Sequence, residues 1–440
     1  MDTLFTKTSV PRAYFTLAMP VVISMIASMI YNLVDTFFIS QTQNPNIVAG
    51  VTVCTPLFSI MLAIGDVFGL GGSALVSKML GSKQHESASQ VNRICFYAAI
   101  VVGILTAGIL LIFEAPILTA FGASSGIRPF ASAFYRIMAI GGPLIIVSLV
   151  PSNLIRTEGL ARESMIGSVA GLVVTILLDP LLIFGFHLYA AGAALATVIG
   201  YLVTDLILGA YVIKRCRVIS LSWHIKRSTF AFAGAILVIG IPASMTNLMQ
   251  AFGTALLNNF LVRYGAAQVA AFGIATKIYM IVMLVMVGFA FGAQPLVGYN
   301  YGAHNQKRFR QIVNFDLLVE VVFSVIFAAI LMLLAPVIVR LFMTQKTIVT
   351  AGVLLLRALL STTPFIGAIL VFTTVFQSTG KALGAFLLAI SRQGVIFAVV
   401  IYVAHMVWGY LGVVWAQPLA DVLTCLLGFV IYRQDFRRMK

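Results

Sequence analysis

The sequence predicts an all-α polytopic membrane protein of twelve transmembrane helices, arranged as two pseudo-symmetric six-helix lobes. Three observations predict it. Of 440 residues, 61% are hydrophobic and only 9% charged, against about 25% charged in soluble domains; mean hydropathy is +1.05 over the whole chain. The apolar runs are long and lack strand-period alternation, so they read as spanning helices and not as barrel strands. Prolines and glycines recur at a near-constant offset of half the chain. A span takes about 20 apolar residues, so this length holds a dozen helices with short loops and no soluble catalytic domain beside them.

Taken in order, the apolar stretches run near 13–39, 50–78, 91–117, 131–155, 164–186, 190–213, 230–262, 269–298, 310–342, 352–378, 383–407 and 411–432. Gly, Pro or charged residues bound each one. The first follows no small-residue cleavage site and is read as a retained span, not a signal peptide. The longest polar interval, KRCRVISLSWHIKRST at 214–229, straddles the midpoint. It divides an N-lobe at 1–213 (helices 1–6) from a C-lobe at 230–440 (helices 7–12). Pro20 matches Pro242 at an offset of 222, and Gly81–Gly302, Pro143–Pro364 and Gly159–Gly380 match at 221. Gly192–Gly412 and the Ala-Pro pairs at 115 and 335 match at 220. A constant period over a whole chain marks an internal repeat. Six spans per repeat is an even number, so both halves point the same way, related by a pseudo-two-fold axis along the membrane normal.

The formal net charge of +15 follows topology and not nucleic acid. The N-terminus, the loops after even-numbered helices and the C-terminal tail carry 20 Lys and Arg, the opposite loops 6. Lys277 and Arg392 fall within spans. This bias places both termini in the cytoplasm. Cys54, Cys95, Cys216 and Cys425 lie scattered, without disulfide or metal spacing. GxxxxGK[ST], HExxH and GxSxG are absent, since Gly380-Lys381 is followed by Ala382. ATP-driven pumping and enzymatic chemistry are therefore not expected.

Intramembrane carboxylates are the informative residues, because a charge at mid-span costs about 2.5–3.5 kcal/mol on insertion scales. They are Asp35 (helix 1), Asp66 (helix 2), Asp179 (helix 5), Asp205 (helix 6) and Asp421 (helix 12); four lie in the first half. Two adjacent buried carboxylates either hold a proton between them near neutral pH or both stay ionised around Na⁺. Thr175, four residues before Asp179, shares its helix face. Asn153 and Thr197 offer further oxygens, and Pro180 removes a backbone donor, which frees a carbonyl and bends the helix. Met25, Met29 and Phe38 share helix 1 with Asp35, and Met249 and Phe252 flank Gln250. Such residues suit an adaptable apolar cleft, for which Met29, Phe38, Asp66 and Gln250 are the candidate lining.

YNLVDTFFIS in helix 1, GGSALVSKMLGSK in helix 2 and its repeat GAQPLVGYNYGAHNQ in helix 8, with LLDPLLIFG, AAGAALATVIG and VVWAQPLAD, resemble the multidrug and toxic compound extrusion (MATE) family. The QPLVGYNYGA element points to its prokaryotic DinF/MepA-like branch. The resemblance covers essentially the whole chain. It implies two lobes around a central cleft and export of amphipathic, cationic organic compounds in exchange for H⁺ or Na⁺. It also places the coupling-ion site at Asp35 and Asp179, with Asn153 and Thr197 as polar partners. Thr175 stands where relatives often have Asn. Gln250 stands where another branch has a carboxylate, so coupling is expected in the N-lobe. Glu320 in helix 9 is not read as a substitute. The expected partners are small organic molecules and membrane lipids, with no cofactor or metal beyond the coupling ion and no nucleic acid. The expected state is a monomer in the bacterial inner membrane. A flippase for lipid-linked precursors is the alternative.

Overall fold

The structure is a computed structural model that describes residues 3–220, 231–342 and 345–436; the expected 214–229 linker lies outside the described residues from 221 onward. The spans are α1 (Val10–Ser40), α2 (Pro45–Gly81), α3 (His85–Ile112), α4 (Arg128–Glu158), α5 (Ala161–Gly185), α6 (Tyr189–Arg215), α7 (Ala231–Val262), α8 (Ala267–Gly302), α9 (Gln306–Phe342), α11 (Ala382–Trp408) and α12 (Tyr410–Phe436). Between α9 and α11, α10 is a bent pair, Lys346–Ser361 and Thr363–Thr379, meeting at 44°. Among the described residues this makes eleven long apolar helices, and twelve spans when the bent pair counts as one. Each apolar stretch read from the sequence corresponds to one of them. The helices present large apolar side chains outward, among them Leu105, Ile112, Leu333 and Leu341. In water such a surface would aggregate; in hydrocarbon it is the expected exterior.

The helix ends repeat as the sequence does. Gly159 closes α4 at φ +85° and Gly380 closes the second half of α10 at φ +78°. Both are left-handed caps, a conformation open to glycine at no steric cost, which explains why glycine stands at both copies. Lys83 and His304, at equivalent places after α2 and α8, likewise have φ of 60° and 54°.

The chain forms two compact units, and their boundaries do not fall at the 214–229 linker. Unit 1 is Ile23–Ser244; unit 2 is the chain up to Val22 together with Met245 onward. Both crossings lie inside a helix, two residues after a repeat-related proline, Pro20 in α1 and Pro242 in α7. Proline lacks the N–H and crowds the carbonyl four residues back, so a helix is weakest there. The first half of α1 therefore packs in unit 2, and the first half of α7 in unit 1. Each is held by a small-residue crossing. A side chain on Gly71 of α2 would strike the Gly240 backbone of α7, and one on Gly292 of α8 would strike the Ala18 backbone of α1. The first contact maps onto the second through the repeat, as Ala18 corresponds to Gly240 and Gly71 to Gly292.

In unit 1, α4 packs against α2, α3 and α6, and α5 against α6. Past α6 the chain is clamped down again. The Glu158 carboxylate accepts the backbone N–H groups of Arg217, Val218 and Ile219 at 2.8, 2.9 and 2.7 Å, and Asn92 donates to the Ser220 carbonyl at 2.8 Å.

Candidate functional site

In unit 1 three helices each bring a pair of polar residues one turn apart: Tyr31 and Asp35 on α1, Thr175 and Asp179 on α5, Thr197 and Tyr201 on α6. Spacing by four puts both members of a pair on one face. The Tyr31 hydroxyl meets Thr197 Oγ1 at 3.0 Å, and Thr197 donates to the Ala193 carbonyl at 3.0 Å. With the Thr197 proton on the Ala193 carbonyl, Tyr31 is the donor in the first bond, and its oxygen keeps its lone pairs as an acceptor. Asp35, Asp179 and Tyr201 all lie within electrostatic reach of Tyr31, and Asp35 within reach of Asp179. Asp179 is fully buried, and neither of its carboxylate oxygens has a hydrogen-bond partner. Pro180 follows it, and the chain then runs into a π-helical turn, Leu181–Gly185. The missing Pro180 donor leaves the Ile176 carbonyl without its helical partner. Thr175 is buried against Gly200 of α6 and donates to the Gly171 carbonyl at 3.0 Å.

Asn153 does not join this group. Its amide donates to the Leu149 carbonyl at 2.7 Å, and its carbonyl accepts from the Arg156 guanidinium. Arg156, counted from the sequence as a loop charge, is buried in the 3₁₀ turn that ends α4 and lies within electrostatic reach of Asp66. Tyr201 reaches both Asp66 and Asp205. The expected ion-site residues thus divide: Asp35, Asp179, Thr175 and Thr197 on one side, and Asn153 with Arg156 and Asp66 on the other. Tyr201 faces both.

The candidate cleft residues are divided between the two units. Phe38 packs on the apolar cluster of Ile39, Ile47, Ile183, Ala190 and Ala193 in unit 1, a packing role. Met29 is half-buried in the same unit; Gln250 is half-buried in unit 2.

Unit 2 settles the two cations read as intramembrane. Lys277 is exposed. Arg392 pairs with Asp421, Nε to Oδ1 at 3.1 Å, and Gln417 and Thr362 donate to the same carboxylate at 3.0 and 3.1 Å. Arg392 also donates to the Tyr279 hydroxyl at 3.0 Å. Asp421 is therefore a neutralised structural carboxylate, unlike Asp179. Sequence reading missed Tyr31, Tyr201 and Arg156. The first two could have been found from their four-residue spacing to an acid or hydroxyl within a span; nothing local marks Arg156 as buried. Among the described residues no group of three His, Cys, Asp or Glu is placed to hold a metal.

A six-span repeat of membrane helices with buried carboxylates is an architecture that membrane transporters use. The MatE family matches the chain twice, at 20–181 and 242–423, the two matches beginning at Pro20 and Pro242. The chain belongs to this family of multi-pass membrane transporters. It is 28% identical over 428 residues to the multidrug export protein MepA of Staphylococcus aureus (strain NCTC 8325 / PS 47), covering 97% of this chain and 94% of that one. It is 29% identical over 430 residues to MepA of Staphylococcus haemolyticus (strain JCSC1435), with the same coverage. A crystal structure of MATE in complex with MaL6 superposes with a TM-score of 0.93 at 22% identity, covering 99% of this chain and 98% of that chain. The outward-facing conformation of a multidrug resistance MATE family transporter of the MOP superfamily does so at 0.92 and 23%, with the same coverage.

Proposed function

We propose that this protein is a secondary antiporter that exports amphipathic organic cations in exchange for protons, with Asp35 and Asp179 as the coupling site. The observation that carries the reading is Asp179, a buried carboxylate without a hydrogen-bond partner beside a second carboxylate. An ionised carboxylate taken out of water costs several kcal/mol even after relaxation. A site like this is neutralised by a bound ion, and one that binds in a single conformation biases the equilibrium between conformations. The proton is favoured over Na⁺ by the surrounding oxygens. Both threonine hydroxyls donate to carbonyls of their own helices, while the Tyr31 oxygen is left to accept from a protonated carboxyl. Na⁺ is the second reading, supported by the freed Ile176 carbonyl and the threonine lone pairs. The flippase alternative has less support, since Arg392, one of the two cations read within spans, is neutralised by Asp421, and the relatives are named for multidrug export.

The organic-cation substrate follows from the acidic character of the site and from the multidrug export names of the relatives. The charge bias of the loops supports a bacterial inner-membrane protein with both termini in the cytoplasm, and the chain is taken to work as a monomer. The test is reconstitution in liposomes with an imposed pH or Na⁺ gradient and a fluorescent organic cation inside. Proton-driven efflux lost in Asp35→Asn and Asp179→Asn supports the proposal. Efflux driven by Na⁺ alone, or unaffected by both substitutions, refutes it.

A further inference from the structure

A second acidic pair lies in unit 2. Asp316 and Glu320 stand four residues apart on α9, hence on one face, and both are 0% exposed. Tyr14, in the first half of α1, donates to Asp316 Oδ1 at 2.7 Å. Asp316 Oδ2 and both Glu320 carboxylate oxygens form no hydrogen bond. The surroundings are apolar and aromatic. Phe289 stacks on Tyr14 at 6.4 Å and Phe315 meets its ring edge-on at 5.2 Å. From α10, Gly367 stands where a side chain would press on Glu320 Cβ and Met286.

The elements packed around the pair offer it no positive charge. Tyr14 is the titratable group facing it from α1, and α8 faces it with the Ala290 backbone. On α8 itself, Lys277 is exposed and Tyr279 is bonded to Arg392. The half of α10 at Thr363–Thr379 has no titratable side chain, and Arg357 in the other half donates to the Met332 carbonyl. Arg308, at the start of α9, donates to the carbonyls of Phe5 and Thr8. Two like charges one turn apart in a dry pocket cannot both persist.

We propose that Asp316 and Glu320 form a second proton-binding site, held within unit 2 and separate from Asp35 and Asp179, with the proton on Glu320 and the Asp316 carboxylate serving Tyr14. The division follows from the donors: the Tyr14 hydroxyl bonds the Asp316 carboxylate at 2.7 Å, whereas Glu320 faces no side-chain donor, only the Ala290 backbone. A metal cation is the competing occupant, and the response to Na⁺ separates it from a proton. Ser324, one turn on, donates to the Val321 carbonyl, and the Tyr14 hydroxyl already points its proton at Asp316. The site also ties proton binding to the half of α1 that crosses into unit 2, since Tyr14 lies six residues before Pro20. This inference does not depend on which ion Asp35 and Asp179 carry.

The test is infrared spectroscopy of the purified protein in lipid, following the carbonyl stretch of protonated carboxyl groups. It is run in an Asp35→Asn/Asp179→Asn background, so that failure of the antiport reading leaves the measurement intact. Adding Glu320→Gln should remove one protonated-carboxyl signal, Glu320→Asp should shift that signal without removing it, and Tyr14→Phe should add a second. Sodium chloride at constant pH should leave all of them in place. An unchanged spectrum in a monodisperse Glu320→Gln protein overturns the proposal. So does loss of the signal on adding Na⁺, which would assign the pair to a cation.

Discussion

Asp179 and Asp421 are both intramembrane and fully or almost fully buried, yet the structure predicts opposite consequences for the same substitution. Asp421 accepts hydrogen bonds from Arg392, Gln417 and Thr362 and is 1% exposed. Asp421→Asn leaves the Arg392 guanidinium buried and unpaired. Breaking a buried pair from one side costs about 3–5 kcal/mol, roughly two to three and a half decades in the folding equilibrium at 1.4 kcal/mol per decade. Asp179 makes no side-chain hydrogen bond, so Asp179→Asn removes no partner and should change stability by less than about 1 kcal/mol. The assay heats both variants in detergent and measures by size-exclusion chromatography the fraction that stays monodisperse. Asp421→Asn should lose most of its folded protein at temperatures where wild type and Asp179→Asn survive. Asp421→Leu combined with Arg392→Met should recover much of the loss, because removing both charges of a buried pair is often neutral. In liposomes the order reverses: Asp179→Asn is well folded and fails in gradient-driven efflux. If Asp179→Asn proves as unstable as Asp421→Asn, Asp179 has a structural partner and the argument from its unsatisfied oxygens fails.

Tyr31→Phe deletes the bond to Thr197, a net loss of about 0.5–1.5 kcal/mol. It should lower efflux at a fixed pH gradient more than it lowers thermal stability, measured on the same preparation. Gly292→Val and Gly240→Val should each overpack a helix crossing, typically by 1–3 kcal/mol. Gly108→Ala, where nothing lies within 4 Å, should be neutral or slightly stabilising by the same chromatographic measure. Glu114 lies outside the spans. Burial pushes its carboxyl up, but hydrogen bonds from Arg136 and Ser132 and the charges of Arg136 and Arg128 hold it below its ordinary value. A depressed carboxyl stabilises above its unfolded value and loses that contribution as pH falls through the folded one. Wild type should therefore exceed Glu114→Gln slightly in thermal stability at pH 7, and the gap should close as pH falls below the ordinary glutamate value of about 4.3. The gap is small because Arg136 is 63% exposed.

The sequence by itself determined the twelve spans, the six-span repeat and most of the carboxylates that needed explaining, though not Asp316 in the 310–342 stretch. These follow from one-dimensional facts. A bilayer fixes the length and apolarity of a span, and a duplicated chain keeps its prolines and left-handed glycine caps at a constant offset, as at Gly159 and Gly380. Tertiary structure decided what each charge does. Asp179 and Asp421 look alike in sequence, each one acid in an apolar helix, but Arg392 comes to Asp421 from 29 residues away and no partner comes to Asp179. Asn153 was grouped with Asp179 by resemblance and is held by Arg156, three residues along its own chain. The first halves of α1 and α7 pack in the other repeat's unit, because the two prolines let each helix change unit and the glycines opposite let it approach. That exchange brings Tyr14 to Asp316 across 302 residues. No local pattern encodes such a contact, because it depends on where a kinked helix finds a groove narrow enough to hold it.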